Sequence, residues 1–133
     1  MVEELEDRWI LGLRGSSLVA ISHAQDYPEI VATTLDGAVL TIRGPVHLAY
    51  GPATAPSAVE LPARELDGLV GATVVSAIAF KSGSLRIVFN TGHHLSVRGY
   101  EPEVEVRIQS PGDFDWQYRK GVGIMKNLGS DPR

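Results

Sequence analysis

Apolar and polar residues alternate along much of this chain in short runs that end at glycine-containing turns, a pattern typical of β-strands. In one such run Leu85, Ile87 and Phe89 share one face of the predicted strand. No stretch has the periodicity of a long helix, and only residues 62–67 are predicted to form a short helical turn, which begins with proline. The pattern therefore predicts an all-β fold with minor α-structure.

The same pattern occurs twice, because residues 13–44 align with residues 69–99. Each copy begins with a glycine turn and an apolar strand and continues with a middle strand. Each ends with an alternating strand, Leu40-Thr-Ile-Arg-Gly in the first copy and Leu95-Ser-Val-Arg-Gly in the second. One further candidate strand follows each copy. The repeated unit is thus a β-meander with about four strands.

We predict one domain, 1–133, in which repeats at 13–50 and 69–108 are joined by a connector at 51–68 and followed by a tail at 109–133. One half alone would leave a sheet face uncovered, and packing the halves face to face would bury it. The duplicated β-meander is therefore expected to form a sandwich or an incomplete barrel with approximate internal twofold symmetry.

The alternation also predicts the core and the turns. The side chains expected to be buried are Val19, Val31, Leu35, Leu40, Ile42, Val75, Leu85, Ile87, Phe89, Leu95 and Val97. Asp36-Gly37 is a signal for a two-residue hairpin turn, whereas Asn90-Thr91-Gly92 suits a three-residue turn.

Outside the repeats, Trp9 and Trp116 are expected to pack in the core or at its edge, although tryptophan is also common at interfaces. The aromatic residues of the tail are predicted to pack on the core edge as well. Residues 127–133 are predicted to be disordered.

Composition narrows the classes of partner and chemistry. The formal net charge is −4 and the 12 basic residues are spread along the chain without a basic cluster, so we expect no nucleic acid and no anionic membrane as a partner. The absence of cysteine excludes disulfides, thiolate metal sites and a cysteine nucleophile. Residues 1–7 are acidic and no apolar run approaches the length of a membrane span, so we expect a cytoplasmic protein. We also expect no cofactor, because the sequence has neither a phosphate-binding loop nor the ligand spacing of a metal site.

The Leu-x-Gly-x-x-Val pattern at Leu69, which the first copy matches from Leu13 with leucine in place of the valine, resembles together with Tyr100-Glu and Pro111-Gly a group of small uncharacterised actinobacterial proteins with the same two-half layout. The resemblance spans residues 11 to 124. That group often continues Tyr-Glu-x-Trp in its second half, and this chain lacks that tryptophan. The resemblance implies the fold, and it implies no activity because the group has none established.

Acidic residues supply the main candidate binding surface. Glu101, Glu103 and Glu105 lie at every second position, so a strand would place them on one face, which Asp113 and Asp115 could extend. We predict that this acidic stripe docks a basic protein partner. The alternative is an edge strand whose charges prevent aggregation. Glutamates clustered in solvent do not supply the enclosed acid that glycoside hydrolysis needs.

Arginines and histidines supply two weaker candidates. Arg43 and Arg98 occupy equivalent positions in the two copies and are a candidate anion-binding pair, unless each simply lies in solvent at a strand end. His93 and His94 are neighbours that point to opposite faces of a strand, so we expect solvated hairpin residues and no metal site. No serine lies in a Gly-x-Ser-x-Gly motif.

These observations favour a non-enzymatic protein-binding module, in particular an immunity or antitoxin-like inhibitor that docks through its acidic face. The first alternative is a small-ligand carrier or enzyme with its site between the two halves. The second is a structural subunit whose free sheet edges pair to form a homodimer.

Overall fold

A computed structural model describes residues 2–23, 29–50, 59–61, 63–99, 104–119 and 121–128. These residues form thirteen β-strands and one 3-10 helix, Ala63–Leu69. The strands are β1 (Glu3–Glu4), β2 (Arg8–Ile10), β3 (Leu18–His23), β4 (Glu29–Thr34), β5 (Val39–Arg43), β6 (His47–Tyr50), β7 (Val59–Leu61), β8 (Val74–Phe80), β9 (Leu85–Phe89), β10 (His93–Val97), β11 (Glu105–Ser110), β12 (Phe114–Arg119) and β13 (Val122–Asn127).

The strands form two antiparallel sheets. The first sheet has the order β1-β2-β8-β9-β10-β6-β7, and the second has the order β13-β12-β11-β5-β4-β3. The described strands form no closed barrel. The fold is therefore an all-β sandwich of two similar halves, which confirms the predicted class. No helix among the described residues is long and apolar enough to cross a membrane.

The two halves exchange their fourth strands. In the second sheet the β3–β5 meander of the first half pairs with β11 of the second half, with Ile42 opposite Val106. In the first sheet the β8–β10 meander of the second half pairs with β6 of the first half, with Leu95 opposite Leu48. Each sheet thus contains strands from both halves.

An approximate twofold relation is visible where the halves meet. Ser17 and Thr73 form an isolated antiparallel bridge, and their hydroxyl oxygens lie 3.1 Å apart. Backbone bonds around this bridge occur in equivalent pairs, Leu18 N to Ala72 O at 2.9 Å and Val74 N to Ser16 O at 2.8 Å. The two copies therefore make the same contacts with each other across this point.

The inner faces of both sheets form one apolar core. Its most deeply buried side chains include Ile42, Ile108, Phe114 and Trp116, each with 0% exposure. Trp9 is buried as well, at 9% exposure. The expected packing of both tryptophans in the core is confirmed.

The tail is more ordered than the sequence indicated. Phe114–Arg119 forms β12 and Val122–Asn127 forms β13, so Asn127 is the last residue of a strand instead of the first residue of a disordered end. Residues 129–133 of the predicted disordered segment lie outside the described residues. Two tail residues, Phe114 and Trp116, are fully buried. Their hydrophobic period of two was the signal for β12.

The predicted core of the first copy was wrong on the middle strand. Thr34 N donates to Ala38 O at 2.9 Å and Gly37 N donates to Thr34 O at 3.1 Å, so three residues and not two form this turn. One added turn residue transfers every side chain of a strand to its other face. Leu35 is consequently 78% exposed in the turn, and Val31 is half-buried on the outer face.

Two further core predictions, Val19 and Val75, were also wrong, because both residues lie in β-bulges. The register shifts between Leu18 and Ala20 in β3 and between Val74 and Ser76 in β8. A bulge leaves the extra residue unpaired and turned outward. Val19 and Val75 are accordingly 47% and 43% exposed. The remaining predicted core residues are buried, namely Leu40, Ile42, Leu85, Ile87, Phe89, Leu95 and Val97.

Candidate functional site

The predicted acidic stripe is only partly described. Glu101 and Glu103 lie outside the described residues. Glu105 lies on β11 and points outward, since its neighbours Val104 and Val106 are each 3% exposed. Asp115 lies on the outer face of β12, and Asp113 is half-buried in the preceding turn. The spacing argument therefore placed Glu105 on the correct side of its strand.

Glu105 does not stand among other acids, because arginines flank it on both neighbouring strands. It lies opposite Arg43 of β5 and opposite Arg119 of β12, whose Nε is 4.0 Å from Glu105 Oε1. Arg43 in turn lies opposite Glu29 of β4, with Arg43 Nε 2.9 Å from Glu29 Oε2. These four residues alternate in sign across four strands, and we call them the charge ladder.

Asp115 is also paired. Arg107 Nη2 lies 2.9 Å from Asp115 Oδ2, and Arg107 Nε lies 3.3 Å from Asp115 Oδ1. The hydrogen bond with Asp115 raises the pKa of Arg107 above its usual value. Together with the charge ladder and with Lys126, which lies opposite Asp115 on β13, this outer face has three carboxylates and four basic side chains.

The predicted anion-binding pair is not brought together. Arg43 follows Ile42, which is fully buried, and so lies on the outer face of the second sheet. Arg98 is exposed and follows the buried Val97 at the end of β10, on the outer side of the first sheet. The core lies between the two arginines, and they do not converge on a shared space between the halves.

The space between the sheets is almost filled. The internal void has a volume of about 30 Å³ and is lined almost entirely by apolar side chains, among them Leu18, Ile30 and Leu69. Its polar member is Thr34, whose hydroxyl donates to Asp36 and accepts from Ala38 N. A cavity that binds benzene has a volume of about 150 Å³. This void therefore has room for water but not for a small-molecule ligand.

A cluster that the sequence analysis missed lies on the outer face of the first sheet. Ser96 of β10 is directly opposite Arg86 of β9 and directly opposite His47 of β6. His94 and Arg98 lie two positions before and after Ser96. We call these five residues the Ser96 cluster. Neither the spacing of the histidines nor that of the arginines revealed it, because the cluster depends on the pairing of β6 with β10.

The two adjacent histidines differ in environment. His93 Nδ1 lies 2.7 Å from Thr91 Oγ1, and the His93 ring meets the Tyr50 ring edge to face at a centroid distance of 5.0 Å. His94 is only 6% exposed, so the expectation that both are solvated was wrong for His94. The described residues contain no group of three or more side chains suited to hold a metal ion.

Arg86 is the unusual member of the Ser96 cluster. It is half-buried, with Ile78 opposite it on β8 and Val88 on the same face of its own strand. Its guanidinium group makes no hydrogen bond or ion pair with any residue in the described part of the chain. An arginine in that position keeps all five of its donors for water or for a partner.

The family model of DUF6188, which is described as a family of unknown function, matches residues 9–106. That range covers both meanders and ends within β11. No curated protein and no solved structure matches the chain.

Proposed function

Because the chain belongs to DUF6188, a family of unknown function, its role must be inferred from its own structure, and we propose that it is a non-enzymatic protein-binding module that docks its partner on an outer sheet face. The observation that carries this proposal is the filled interior. A binding protein whose sheets enclose no ligand space must use its surface.

The filled interior argues against the ligand carrier. A site between the halves needs a cavity with convergent polar groups, whereas the void of about 30 Å³ is apolar and its one hydroxyl already has partners. The arginines that would hold an anion there, Arg43 and Arg98, lie outside the core on different sheets.

A protein suits the outer faces better than a small molecule does. Each sheet presents extended strands with alternating outward side chains, which form a broad surface, and the second sheet has an open depression of about 200 Å³ over the charge ladder. We include in this proposal an immunity or antitoxin-like role, in which the module covers and blocks an enzyme. We also propose that the chain shares its duplicated pattern with small actinobacterial proteins. Docking through the acidic stripe now rests on Glu101 and Glu103, since Glu105 belongs to the charge ladder.

Pairing of two copies is the second candidate, and one observation favours it. The edge strand β13 exposes Val122 at 58% and Ile124 at 54%, both on its outer face. An unpaired edge with exposed apolar side chains is prone to pair with another strand. Analytical ultracentrifugation of the wild type and an Ile124→Lys variant would reveal this dimer. Sedimentation of the wild type as a monomer at high micromolar concentration would exclude it.

The proposal is tested by affinity capture from host lysate. The baits are the wild type, a Glu103→Lys/Glu105→Lys variant, in which Glu105 lies on the second sheet, and an Arg86→Glu variant of the first sheet, at low and at high salt. We expect one protein to be retained by the wild type and lost with one variant only, because charge reversal at a docking face repels its partner. Equal retention by all three baits, or no retention beyond that of heat-unfolded bait, would contradict docking on a sheet face.

A further inference from the structure

The described sheets end in four edge strands, and three of them are protected against pairing with another strand. In the first sheet β1 has only two residues, both glutamates, and β7 has only three residues. In the second sheet β3 contains a bulge, and Leu18 at its start already bonds to the backbone of Gly71 and Ala72. At its other end His23 Nε2 lies 3.0 Å from Asp67 Oδ1 of the 3-10 helix. Short strands, charges, bulges and covering segments are the usual means of blocking an edge.

The fourth edge strand, β13, lacks these protections. It pairs with β12 over all six of its residues without a register shift. The exposed side chains here are mostly apolar, with Val122 at 58%, Ile124 at 54% and Leu128 at 50% exposure, and the one charged residue is Lys126. No described strand lies on the other side of β13. A long, regular edge with exposed apolar side chains is a site for pairing with a further strand.

The hydrogen-bond pattern identifies the backbone groups at the open edge of β13. Leu128 N donates to Asp113 O at 2.7 Å, and this pair continues the register of β12 and β13. Because bonded and non-bonded positions alternate along an antiparallel pair, the even-numbered residues of β13 bond to β12. The N–H and C=O groups of Gly123, Met125 and Asn127 therefore point to the open edge.

A second copy of β13 pairs with all of these groups. When two β13 strands lie antiparallel with Met125 on the twofold axis, Gly123 of each copy lies opposite Asn127 of the other. All three residues then exchange hydrogen bonds with the second copy. A twofold axis at Ile124 or at Lys126 would instead leave Asn127 or Gly123 opposite a residue outside the strand. Complete pairing of the edge therefore favours a second copy in one register.

The exposed side chains also match in this register. Val122 lies opposite Leu128 of the second copy, so two exposed aliphatic side chains cover each other. Ile124 lies opposite Lys126 of the second copy, whose aliphatic stem can cover it while the ammonium group stays in solvent. Like charges directly opposite each other are destabilising, and this register places none there. The edge is thus complementary to itself in hydrogen bonds, apolar contacts and charge.

We infer that two copies of this chain pair through β13 with Met125 on the twofold axis, which joins their two six-stranded sheets into one continuous sheet. This inference rests on the pairing of two copies, the second candidate of the proposed function, and names its contacts. The outer face of the joined sheet carries the charge ladder of each copy. A partner protein that docks on this face therefore meets two equivalent sites, and engagement of both strengthens its binding without a new kind of contact.

Cysteine cross-linking tests the register, because the chain has no cysteine of its own. Ile124→Cys and Lys126→Cys proteins are mixed in equal amounts and oxidised, and mass spectrometry identifies the disulfides. We expect the mixed disulfide to exceed either homodisulfide at least about tenfold, because directly opposite Cβ atoms lie about 5 Å apart and diagonal ones about 7–8 Å. Val122→Cys mixed with Leu128→Cys should give the same result.

A charge variant tests the interface without cross-linking. Ile124→Lys places a lysine opposite Lys126 of the second copy, so it should raise the dissociation constant of the dimer at least about tenfold in analytical ultracentrifugation. Val19→Lys is the matched control, since Val19 is a similarly exposed valine on the bulged edge β3, and it should leave the dissociation constant unchanged. Unchanged circular dichroism of both variants shows that the sheets are intact.

Four outcomes would overturn the inference. They are a statistical mixture of disulfides, an excess of the Ile124→Cys homodisulfide, equal effects of Ile124→Lys and Val19→Lys, and a wild type that sediments as a monomer at high micromolar concentration. The first three leave the pairing of two copies standing in another arrangement if the wild type is a dimer. Docking of a partner on a sheet face is independent of all four, because capture from lysate tests it separately.

Discussion

Gly83 determines how closely the two sheets approach at one end of the sandwich. A Cβ atom at this position would lie 2.1 Å from the ring of Tyr118, which extends from β12 of the second sheet, and Gly83 has a φ of +103°. The Tyr118 hydroxyl donates to Gly99 O at 2.9 Å, so the ring has little freedom to move away. A single missing side chain therefore allows a tyrosine of one sheet to anchor a hairpin of the other.

We predict that Gly83→Ala destabilises the protein far more than Gly15→Ala. Both glycines have positive φ, but nothing lies within 4 Å of a Cβ at Gly15. The Gly15→Ala variant should therefore show only the backbone cost of about 1–2 kcal/mol. Gly83→Ala should lose a further 1–3 kcal/mol, approximately, through overpacking against Tyr118. Urea unfolding measures both, and equal losses would mean that the ring yields.

Leu35 and Phe89 provide a direct test of the corrected core. Phe89 is 3% exposed and Leu35 is 78% exposed, although the sequence pattern placed both inside. Phe89→Ala should cost about 3–5 kcal/mol through lost burial and a cavity. Leu35→Ala should stay within about 0.5 kcal/mol. A cost above about 1 kcal/mol for Leu35→Ala would support the two-residue turn instead of the three-residue turn.

At the scale of elements, Asp36 stabilises the hairpin of β4 and β5 in a pH-dependent way. Its carboxylate accepts hydrogen bonds from Thr34 Oγ1 at 2.6 Å and from Ser16 Oγ at 3.1 Å, and these bonds lower the pKa of Asp36 below its ordinary value of 3.8. The unfolded chain then binds the proton more readily than the folded chain. This contribution to stability is present above the unfolded pKa and is lost as the pH falls through the folded pKa.

We therefore predict that Asp36→Asn removes part of the acid dependence of folding. Urea unfolding of the wild type below about pH 5 should show stability that falls with pH, and the variant should show a flatter curve. Thr34→Ser is the control, since it keeps the hydroxyl that donates to Asp36 and should keep the steep curve. Parallel curves for wild type and Asp36→Asn would show that other carboxylates account for the whole acid dependence.

The sequence could predict which side chains of a strand share a face, but it could not predict which strands pair with each other. Alternation indicates which side chains share a face, so the outward position of Glu105 and the burial of Leu95 and Phe89 were predictable. Alternation does not indicate which strands are neighbours in a sheet. The charge ladder and the Ser96 cluster depend on the pairing of β11 with β5 and of β6 with β10, which link residues far apart in the chain.

Local geometry limits such prediction in a second way. The bulges at Val19 and Val75 insert one residue each, and the turn at Asp36 contains one residue more than its Asp-Gly signal indicates. Each of these single-residue changes reverses the inward and outward assignment of a strand segment. The errors in the predicted core arise at these positions, while the strands in which the alternation runs uninterrupted, such as β9, were predicted correctly.

At the scale of the whole molecule, the exchange of β6 and β11 makes the two sheets depend on each other. Neither half contains a complete sheet, because each meander is extended by a strand of the other half. Both sheets also contribute to one apolar core. Loss of one sheet therefore removes strand partners and core contacts from the other, and the sandwich should unfold as a single cooperative unit.

The two tryptophans allow this cooperativity to be measured, because Trp9 lies in β2 of the first sheet and Trp116 lies in β12 of the second. Trp116→Phe leaves a fluorescent probe in the first sheet only, and Trp9→Phe leaves one in the second sheet only. Trp116 Nε1 has no hydrogen-bond partner among the described residues, so replacement by phenylalanine breaks no such bond with them. We expect the urea midpoint from tryptophan fluorescence to coincide with the midpoint from far-ultraviolet circular dichroism within each variant, since coincident transitions are the mark of two-state unfolding. Comparison within a variant removes any effect of the substitution on stability. A fluorescence midpoint that departs from the circular dichroism midpoint in either variant would show that the sheets unfold separately despite the strands they exchange.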